Sequence, residues 1–372
     1  MLTSESDPRT RSVQSGMNVE ESAGELWAYV GEVRPAIERA LAAHLPCAPA
    51  HVDPRFNDAL RYALFPGGKR LRPVLTLLGA ELVGACVRER LLCAATAVEY
   101  VHTSSLIFDD LPCMDDASER RGRASLHRRY GEGLSVLVAL ALLNASYGLV
   151  FEGDGAADER SVRAHAEIVA CVGTQGMVTG QTLDLFKDTR RQARNGNGSN
   201  GHGGGLKSNS RTTKPGGNGS NGHGRADGVS VGVLHGSGAG SDGGALVASR
   251  PDAFDAVRNL KTTALIRLAL RLGAILSGAR ERQLEALSRF AELLGHAYQI
   301  SDDLLDLAED AAQATSGLRP PTLAFERGAP DARLRVASLV SQAKGVLRAE
   351  FGPTTPARLL GVVADYISER KS

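Results

Sequence analysis

The chain has 372 residues, of which 43 are basic and 42 acidic, so its formal net charge is +1. A chain with so little net charge has no overall field that would draw it to nucleic acid or to an anionic membrane, and we expect neither partner. The cysteines are scattered without metal-binding spacing, which predicts a reduced, cytoplasmic protein without a disulfide framework: Cys47, Cys86, Cys93, Cys113 and Cys171.

The first twenty residues are polar, which predicts a disordered tail, and they contain no apolar segment of the kind that a secretory signal needs. From Glu25 to Leu45, apolar residues recur at helical spacing, which predicts an amphipathic helix. Further helical patterns cover Pro54–Leu64, Arg72–Val83, Glu89–Asp109, Gly133–Glu152, Ser161–Leu185, Val257–Leu276, Arg280–Leu305 and Ala332–Arg348. No alternating strand pattern with hairpin turns lies between them. We therefore expect an all-α fold, one large helical bundle formed by residues 21–190 and 251–372.

The most apolar stretch runs from Gly133 to Val150 and is long enough to suggest a membrane span. Polar residues interrupt it, among them Ser135, Asn144 and Ser146. This pattern favours a helix that is buried on all sides in a helical core, without stable membrane insertion.

Residues 191–250 break the helical pattern, because they hold 18 of the 42 glycines together with many serines and asparagines. The heptapeptide NGSNGHG occurs in this segment twice, at Asn197–Gly203 and at Asn218–Gly224. Such a composition is typical of a flexible, disordered, low-complexity insertion.

A first acidic cluster, DDLPCMDD, follows an apolar helical pattern and contains Asp109, Asp110, Asp115 and Asp116. Asp109 and Asp116 are seven residues apart, so an unbroken helix would place them on one face, and Pro112 is expected to bend the chain so that Asp115 turns inward. Converging carboxylates repel one another unless a cation lies among them, and a hard set of oxygen ligands suits Mg²⁺. The cluster therefore predicts a magnesium site.

A second acidic cluster follows another apolar helical pattern and contains Asp302, Asp303 and Asp306. Spacings of three and four residues place these carboxylates on one helix face. Fixed cations come from GGKRLRP at Gly67–Pro73, from Arg120–Arg123, and from Lys261 with Thr262. Because arginine forks match phosphate oxygens and glycines permit close backbone approach, the two clusters and these cations together predict a metal-dependent diphosphate site.

Six segments in this order resemble the trans-isoprenyl diphosphate synthases of the polyprenyl synthetase family, in particular the branch of bacterial carotenoid pathways that makes geranylgeranyl diphosphate. They are GGKRLRP at 67–73, HTSSLIFDDLPCMDD at 102–116, RRG at 120–122, GMVTGQTLD at 176–184, KTTAL at 261–265 and YQISDDLLD at 298–306. The resemblance implies an isoprenoid-synthase-type bundle, a homodimer, and Mg²⁺-assisted condensation of isopentenyl diphosphate with an allylic diphosphate.

The resemblance also implies roles for individual residues. Asp109 and Asp115 would hold Mg²⁺ with support from Asp110 and Asp116, and Asp302, Asp303 and Asp306 would complete a three-ion site, with two ions at the first motif and one at the second. The positions that match allylic diphosphate ligands are Arg120, Lys261, Thr262 and Gln299, with Gln181 nearby. Those that match isopentenyl diphosphate ligands are Gly68, Lys69, Arg72, His102 and Arg121.

Two features depart from the family pattern. Ala139 and Leu140 stand where many members have Gly-Asp, and the segment Ala308–Leu323, which usually carries lysines, has none and offers Arg319 instead. A non-catalytic partner subunit of another synthase is therefore one alternative. A terpene cyclase or head-to-head synthase of the same fold is another, although such enzymes lack a dedicated isopentenyl diphosphate pocket.

Product length is predicted from Ser104, which lies five residues before Asp109, or roughly 7 Å along a helix. The resemblance adds that farnesyl-making relatives often carry a large aromatic residue near this point. With serine there, and with Ser105 beside it, we expect a product longer than farnesyl diphosphate, with geranylgeranyl diphosphate (C20) first. The alternative is that Ser104 packs against a neighbouring helix and another residue limits the chain.

Overall fold

The computed structural model describes residues 8–49, 51–65, 68–153, 158–183, 185, 260–312 and 328–368. The predicted insertion at 191–250 lies outside these residues. The described helices are α1 (Pro8–Ala43), α2 (Arg55–Leu64), α3 (Leu71–Glu81), α4 (Glu89–Asp110), α5 (Leu126–Tyr130), α6 (Glu132–Leu149), α7 (Glu159–Val172), α8 (Leu260–Leu276), α9 (Glu281–Ala312), α10 (Ala329–Phe351) and α11 (Thr355–Ser368). The strands in this part of the chain are β1 (Glu119–Arg120) and β2 (Arg123–Ala124), which form a two-residue antiparallel ladder. The predicted all-α class is confirmed.

The core lies where α3, α4 and α8 pack together. Two glycines allow the backbones of α3 and α8 to cross closely, because a Cβ at Gly79 would overlap the carbonyl of Leu270 and a Cβ at Gly273 would overlap the carbonyl of Thr76. A third glycine, Gly295 on α9, lies against the side chain of Thr263 on α8 in the same way. The crossings with α3 lie in the second half of α8, and the crossing with α9 lies near its beginning.

The first predicted amphipathic helix is present, and its apolar stripe is buried at Leu26, Val30, Val33, Ile37 and Leu41. The helix begins earlier than predicted, at Pro8, inside the stretch expected to be a disordered tail. A further helix, α11, was not predicted, because the sequence pattern after Gly352 is short.

The predicted helical run from Ser161 to Leu185 is wrong in its continuity. The chain leaves the helix at Gly173, and helix resumes at Met177. The side chain of Asp158 caps the start of α7 by accepting a hydrogen bond from the backbone of Ser161 at 2.9 Å. A Cβ at Gly176 would overlap the carbonyl of Cys171, so the tight turn between the two helical pieces requires glycine there.

Two described helices, α4 and α6, are long and apolar enough to cross a membrane by length and composition. The most apolar window of α4 is 83% buried inside the protein, whereas that of α6 is only 33% buried. The prediction that α6 is buried on all sides is therefore wrong. One face packs on the core through Val138, Ala139 and Leu142, and the other exposes Leu137 and Leu140. Hydropathy alone does not distinguish a core helix from a helix with an uncovered apolar face.

Candidate active site

Helix α4 ends at the first acidic cluster and places two carboxylates inside the protein. Asp109 and Asp110, its last two residues, are both buried. The helix stops because Leu111 is extended (φ −61°, ψ 150°), the conformation that a following proline, here Pro112, favours. Both carboxylates therefore lie at the negative end of the helix dipole, where a cation is needed to stabilise them.

The chain then turns back so that the second half of the motif lies beside the first. The backbone N–H of Asp115 donates to the carbonyl of Asp109 at 2.9 Å, and Asp115 is exposed next to it. Asp116 has a left-handed backbone (φ 47°), and its carboxylate accepts a hydrogen bond from Arg128 at 2.9 Å. The prediction that Asp109 and Asp116 share a helix face is therefore wrong, because the helix ends at Asp110 instead of bending.

Lys261, at the start of α8, is the principal partner of Asp109. Its Nζ donates to Oδ2 of Asp109 and, at 3.1 Å, to Oε1 of Gln181 in the helical stretch 177–183. Burial raises the pKa of Asp109, and the neighbouring charge of Asp115 raises it further, while Lys261 and Arg120 oppose this. The next residue on α8, Thr262, is half-buried.

Arg120 holds the other carboxylate of α4. Its guanidinium donates to Asp110, with Nε 3.0 Å from Oδ1, and this hydrogen bond is the main reason that the pKa of Arg120 is raised. The β1–β2 hairpin presents Arg120 to the helix end. Its two-residue turn consists of Arg121 (φ 56°) and Gly122 (φ 71°), and positive φ at both positions is the signature of a type I′ turn.

The second acidic cluster lies on α9. Asp303 is buried and accepts a hydrogen bond from the amide of Gln299 at 3.3 Å, whereas Asp302 is half-buried. Asp306 continues the helix, but its side chain is outside the described part. The close crossing of Gly295 on Thr263 holds α9 against the turn of α8 that carries Lys261. The structure thus connects the second cluster to the first through α8.

A separate group of cations surrounds His102, which lies eight residues before the end of α4. Arg72 Nη1 lies 3.1 Å from His102 Nε2, and Arg121 packs on Gly68, with Cζ 3.2 Å from the position a Cβ would take. Within the described residues, Arg72 Nε and His102 Nδ1 are buried without a hydrogen-bond partner. Unpartnered buried donors are costly, so these two atoms indicate room for an anionic ligand.

His102 is held as a neutral donor in this group. Burial lowers its pKa well below the usual value, and the positive charges of Arg72 and Arg121 lower it further. Because a guanidinium can only donate, Nε2 accepts from Arg72 and the proton of the neutral ring resides on Nδ1. The partnerless Nδ1 is therefore an N–H donor.

Lys69 does not join the other residues predicted to bind isopentenyl diphosphate. Its Nζ donates to the hydroxyl of Tyr366 on α11 and lies over the rings of Trp27 and Tyr366, 5.2 Å and 4.7 Å from their centroids. Cation–π contacts of this kind stabilise a lysine ammonium. In this structure Lys69 therefore contacts α1 and α11.

Arg70 lies between Lys69 and Arg72 in the GGKRLRP motif, and its structural role was not predicted. It is a buried arginine with a left-handed backbone (φ 54°), and it donates to Glu99 at 2.6 Å, to Glu38 at 2.9 Å and to the carbonyl of Leu64 at 2.8 Å. It anchors the loop that carries Gly68 and Arg72 onto α1 and α4. The only sequence signal for this role is the position of Arg70 between two predicted substrate ligands.

Ser104 is buried between α4 and α6. Its hydroxyl donates to the carbonyl of Ala139 at 2.9 Å, and the hydroxyl of Ser105 donates to the carbonyl of His102 at 2.8 Å. Ser104 therefore packs against a neighbouring helix, which is the alternative considered for this position, and its small size alone does not define an open path.

The fold and its arrangement of charges define an all-α bundle of the isoprenyl synthase type. A profile of the polyprenyl synthetase family matches residues 53–197 and 244–317, more than half of the chain. The chain belongs to the polyprenyl synthetase family.

Individual relatives agree with this assignment. The chain is 34% identical over 259 residues to "Geranylgeranyl pyrophosphate synthase 11, chloroplastic" of Arabidopsis thaliana, a match that covers 69% of this chain and 57% of that protein. It is 32% identical over 353 residues to "Geranylgeranyl pyrophosphate synthase, chloroplastic" of Capsicum annuum, covering 92% of this chain and 78% of that protein. A solved FPP/GFPP synthase from Zymomonas mobilis superposes with a TM-score of 0.68 at 26% identity, covering 93% and 99% of the two chains. The chain thus spans little more than half the length of the Arabidopsis relative.

Proposed function

We propose that this protein is a Mg²⁺-dependent prenyltransferase that condenses isopentenyl diphosphate with dimethylallyl, geranyl or farnesyl diphosphate, with geranylgeranyl diphosphate as the main product. The observation that supports this best is that the His102 group and the first acidic cluster lie along one face of α4. His102 and Asp109 are two turns apart on α4, or about 10 Å, and so share a face. One end of that face has unpartnered donors for a diphosphate, and the other has buried carboxylates for a metal.

The residues at the end of α4 fit magnesium. Buried carboxylates at the negative end of a helix require cations nearby. In this structure, Lys261 and Arg120 provide the positive charge by pairing with Asp109 and Asp110. Asp109 and Asp115, supported by Asp110, would hold ions on this side, and Asp302 with Asp303 would hold one on α9. The bound ions would neutralise the charge that develops on the departing allylic diphosphate. Asp116, whose carboxylate accepts a hydrogen bond from Arg128, would support these ligands from the outer side.

Two groups of side chains would each bind one of the two substrates. Lys261 and Arg120 would exchange their carboxylate partners for the oxygens of the allylic diphosphate, with Thr262, Gln181 and Gln299 around them. Arg72, Arg121 and the Nδ1–H of His102 would bind isopentenyl diphosphate, and Lys69 would join them on leaving Tyr366. The apolar interior excludes water from the allylic cation that forms when the C–O bond ionises. The released diphosphate then accepts the proton lost in condensation, so no histidine base is required.

Assays with purified protein test this proposal. Incubation with isopentenyl and farnesyl diphosphates and Mg²⁺ should give a C20 product by chromatography, and chelation of the metal should abolish it. Lack of condensation with every allylic substrate would overturn the proposal and favour a non-catalytic partner subunit. A cyclised product formed without consumption of isopentenyl diphosphate would instead favour a terpene cyclase, which the Arg72–His102 group argues against.

We also propose that the protein is a homodimer that uses the exposed face of α6. Val136, Leu137 and Leu140 on this helix are 40%, 54% and 54% exposed, and contiguous apolar patches on a protein surface mark interaction sites. A second copy would cover the patch by the same surface. The family resemblance implies aspartate at position 140, so Leu140 makes this face more apolar in this chain.

Light scattering after gel filtration measures the oligomeric state. We expect the parent to be a dimer and the Leu137→Asp/Leu140→Asp variant to be a monomer. Leu334 on α10 is 70% exposed, so Leu334→Asp is a matched control that should remain dimeric. A monomeric parent, or a double variant that stays dimeric, would overturn the assignment.

A cytoplasmic location is proposed as well. All five cysteines lie in the described part of the chain without forming disulfides, and two of them, Cys93 and Cys171, are buried. Fractionation of cells that express the full chain should recover it in the soluble cytoplasmic fraction.

A further inference from the structure

A second group of potential ligands lies at the opposite end of α4 from the acidic cluster. His44 follows the end of α1, Cys93 lies in the second turn of α4, and Glu152 follows α6. Sγ of Cys93 is 3.5 Å from Nε2 of His44, and Nδ1 of His44 is 3.0 Å from Oε2 of Glu152. One ligand atom from each side chain lies within 4.8 Å of the others.

We propose that His44, Cys93 and Glu152 form a zinc site with a fourth position for water. Thiolate, imidazole and carboxylate together are a ligand set that suits Zn²⁺ and does not suit Mg²⁺. With Zn–S of about 2.3 Å and Zn–N of about 2.1 Å, tetrahedral geometry separates sulfur from nitrogen by about 3.6 Å. The separation of 3.5 Å between Sγ of Cys93 and Nε2 of His44 is already close to this value.

The burial of the three side chains fits a metal at the protein surface. Cys93 is 1% exposed, His44 is half-buried and Glu152 is exposed. Zinc can therefore enter from the side of Glu152, whose exposed carboxylate would turn from Nδ1 of the imidazole toward the thiolate. Binding releases the thiol proton of Cys93, so zinc affinity should increase with pH.

This site would act on stability and not on catalysis. Cys93 precedes Asp109 by sixteen residues on α4, or about 24 Å along the helix axis. The three ligands come from the ends of three different helices, so the ion would cross-link α1, α4 and α6. A ligand that binds only the folded state stabilises it by mass action.

Cobalt binding to metal-free protein tests the ligand set. Excess Mg²⁺ is added to occupy the aspartate clusters, and a thiolate-to-cobalt charge-transfer band is then measured. The band should appear in the parent and in the Cys86→Ser control, and it should be absent from Cys93→Ala and strongly reduced in His44→Gln and Glu152→Gln. His202 and His223 in the glycine-rich segment cannot produce this band. An absent band in the parent, or an undiminished band in Cys93→Ala, would overturn the proposal.

A thermal measurement with Zn²⁺ gives an independent readout. At a zinc concentration about a hundred times the dissociation constant, the Tm of the parent should rise by about 5 °C or more. Glu152→Gln keeps an exposed side chain and should fold normally, and its rise should be much smaller. Equal rises in the parent and in Cys93→Ala would show that zinc binds elsewhere and would contradict the assignment.

Discussion

Arg70 provides a quantitative test of how the substrate-binding loop is held. Its guanidinium is 1% exposed and donates to two carboxylates and one carbonyl. Glu99, one of these carboxylates, is itself 4% exposed, so Arg70→Met would leave an uncompensated negative charge in the core. Breaking a buried ion pair from one side costs about 3–5 kcal/mol in free energy of unfolding. For a protein of this size, that corresponds to a decrease in Tm of about 6–10 °C.

Urea unfolding followed by circular dichroism measures this change. The double variant Arg70→Met/Glu99→Met removes both charges and should regain most of the lost stability, because the cost arises from the unpaired carboxylate. Arg55→Met breaks the exposed pair with Asp53 and should leave the unfolding transition nearly unchanged. If Arg70→Met were within about 1 kcal/mol of the parent, the reasoning from burial would be refuted.

Three further outcomes are expected. The pKa of His102 is depressed in the folded protein, so its contribution to stability is fully present above about pH 6.5. As the pH falls below this value, the free energy of unfolding should decrease by up to about 1.4 kcal/mol per pH unit. Urea titrations of His102→Gln should show a shallower decrease than those of the parent. Ser104→Tyr should lower Tm, because overpacking between α4 and α6 costs about 1–3 kcal/mol, and chromatography should show a main product shortened toward farnesyl diphosphate. An unchanged chain length in the folded variant would show that this position does not limit the product. Replacing residues 191–250 by a short Gly-Ser linker should leave Tm nearly unchanged, since this composition offers no core, and an aggregating variant would contradict that.

The parts of the fold that depend on local periodicity could be predicted from the sequence. The buried stripe of α1 from Leu26 to Leu41 follows directly from helical spacing, and the burial of Asp109 follows from the apolar helix before it. The path after Asp110 could not be predicted in the same way. Pro112 was expected to bend a continuing helix, but the residue before a proline disfavours helical geometry and the helix ends, which turns Asp116 toward Arg128.

Features that depend on tertiary contacts were beyond the sequence. Leu137 and Val138 are equally apolar, yet only Val138 is covered, and hydropathy does not encode which face of α6 meets the core. Lys69 sits in a motif that predicts a phosphate ligand, but its partner Tyr366 is 297 residues away on a helix that was not predicted. The roles of the aspartates and cations in catalysis remain predictions, and the structure adds the distances by which they can be tested.

A single kinetic comparison bears on the proposed reaction itself. The steady-state rate of condensation of isopentenyl diphosphate with farnesyl diphosphate is measured at saturating Mg²⁺ for the parent, Asp109→Asn and Asp302→Asn. If both acidic clusters hold the ions that stabilise the departing diphosphate, each substitution should lower turnover by at least about a hundredfold, as expected for the loss of a principal electrostatic stabiliser. A rate close to that of the parent in either variant would contradict the account.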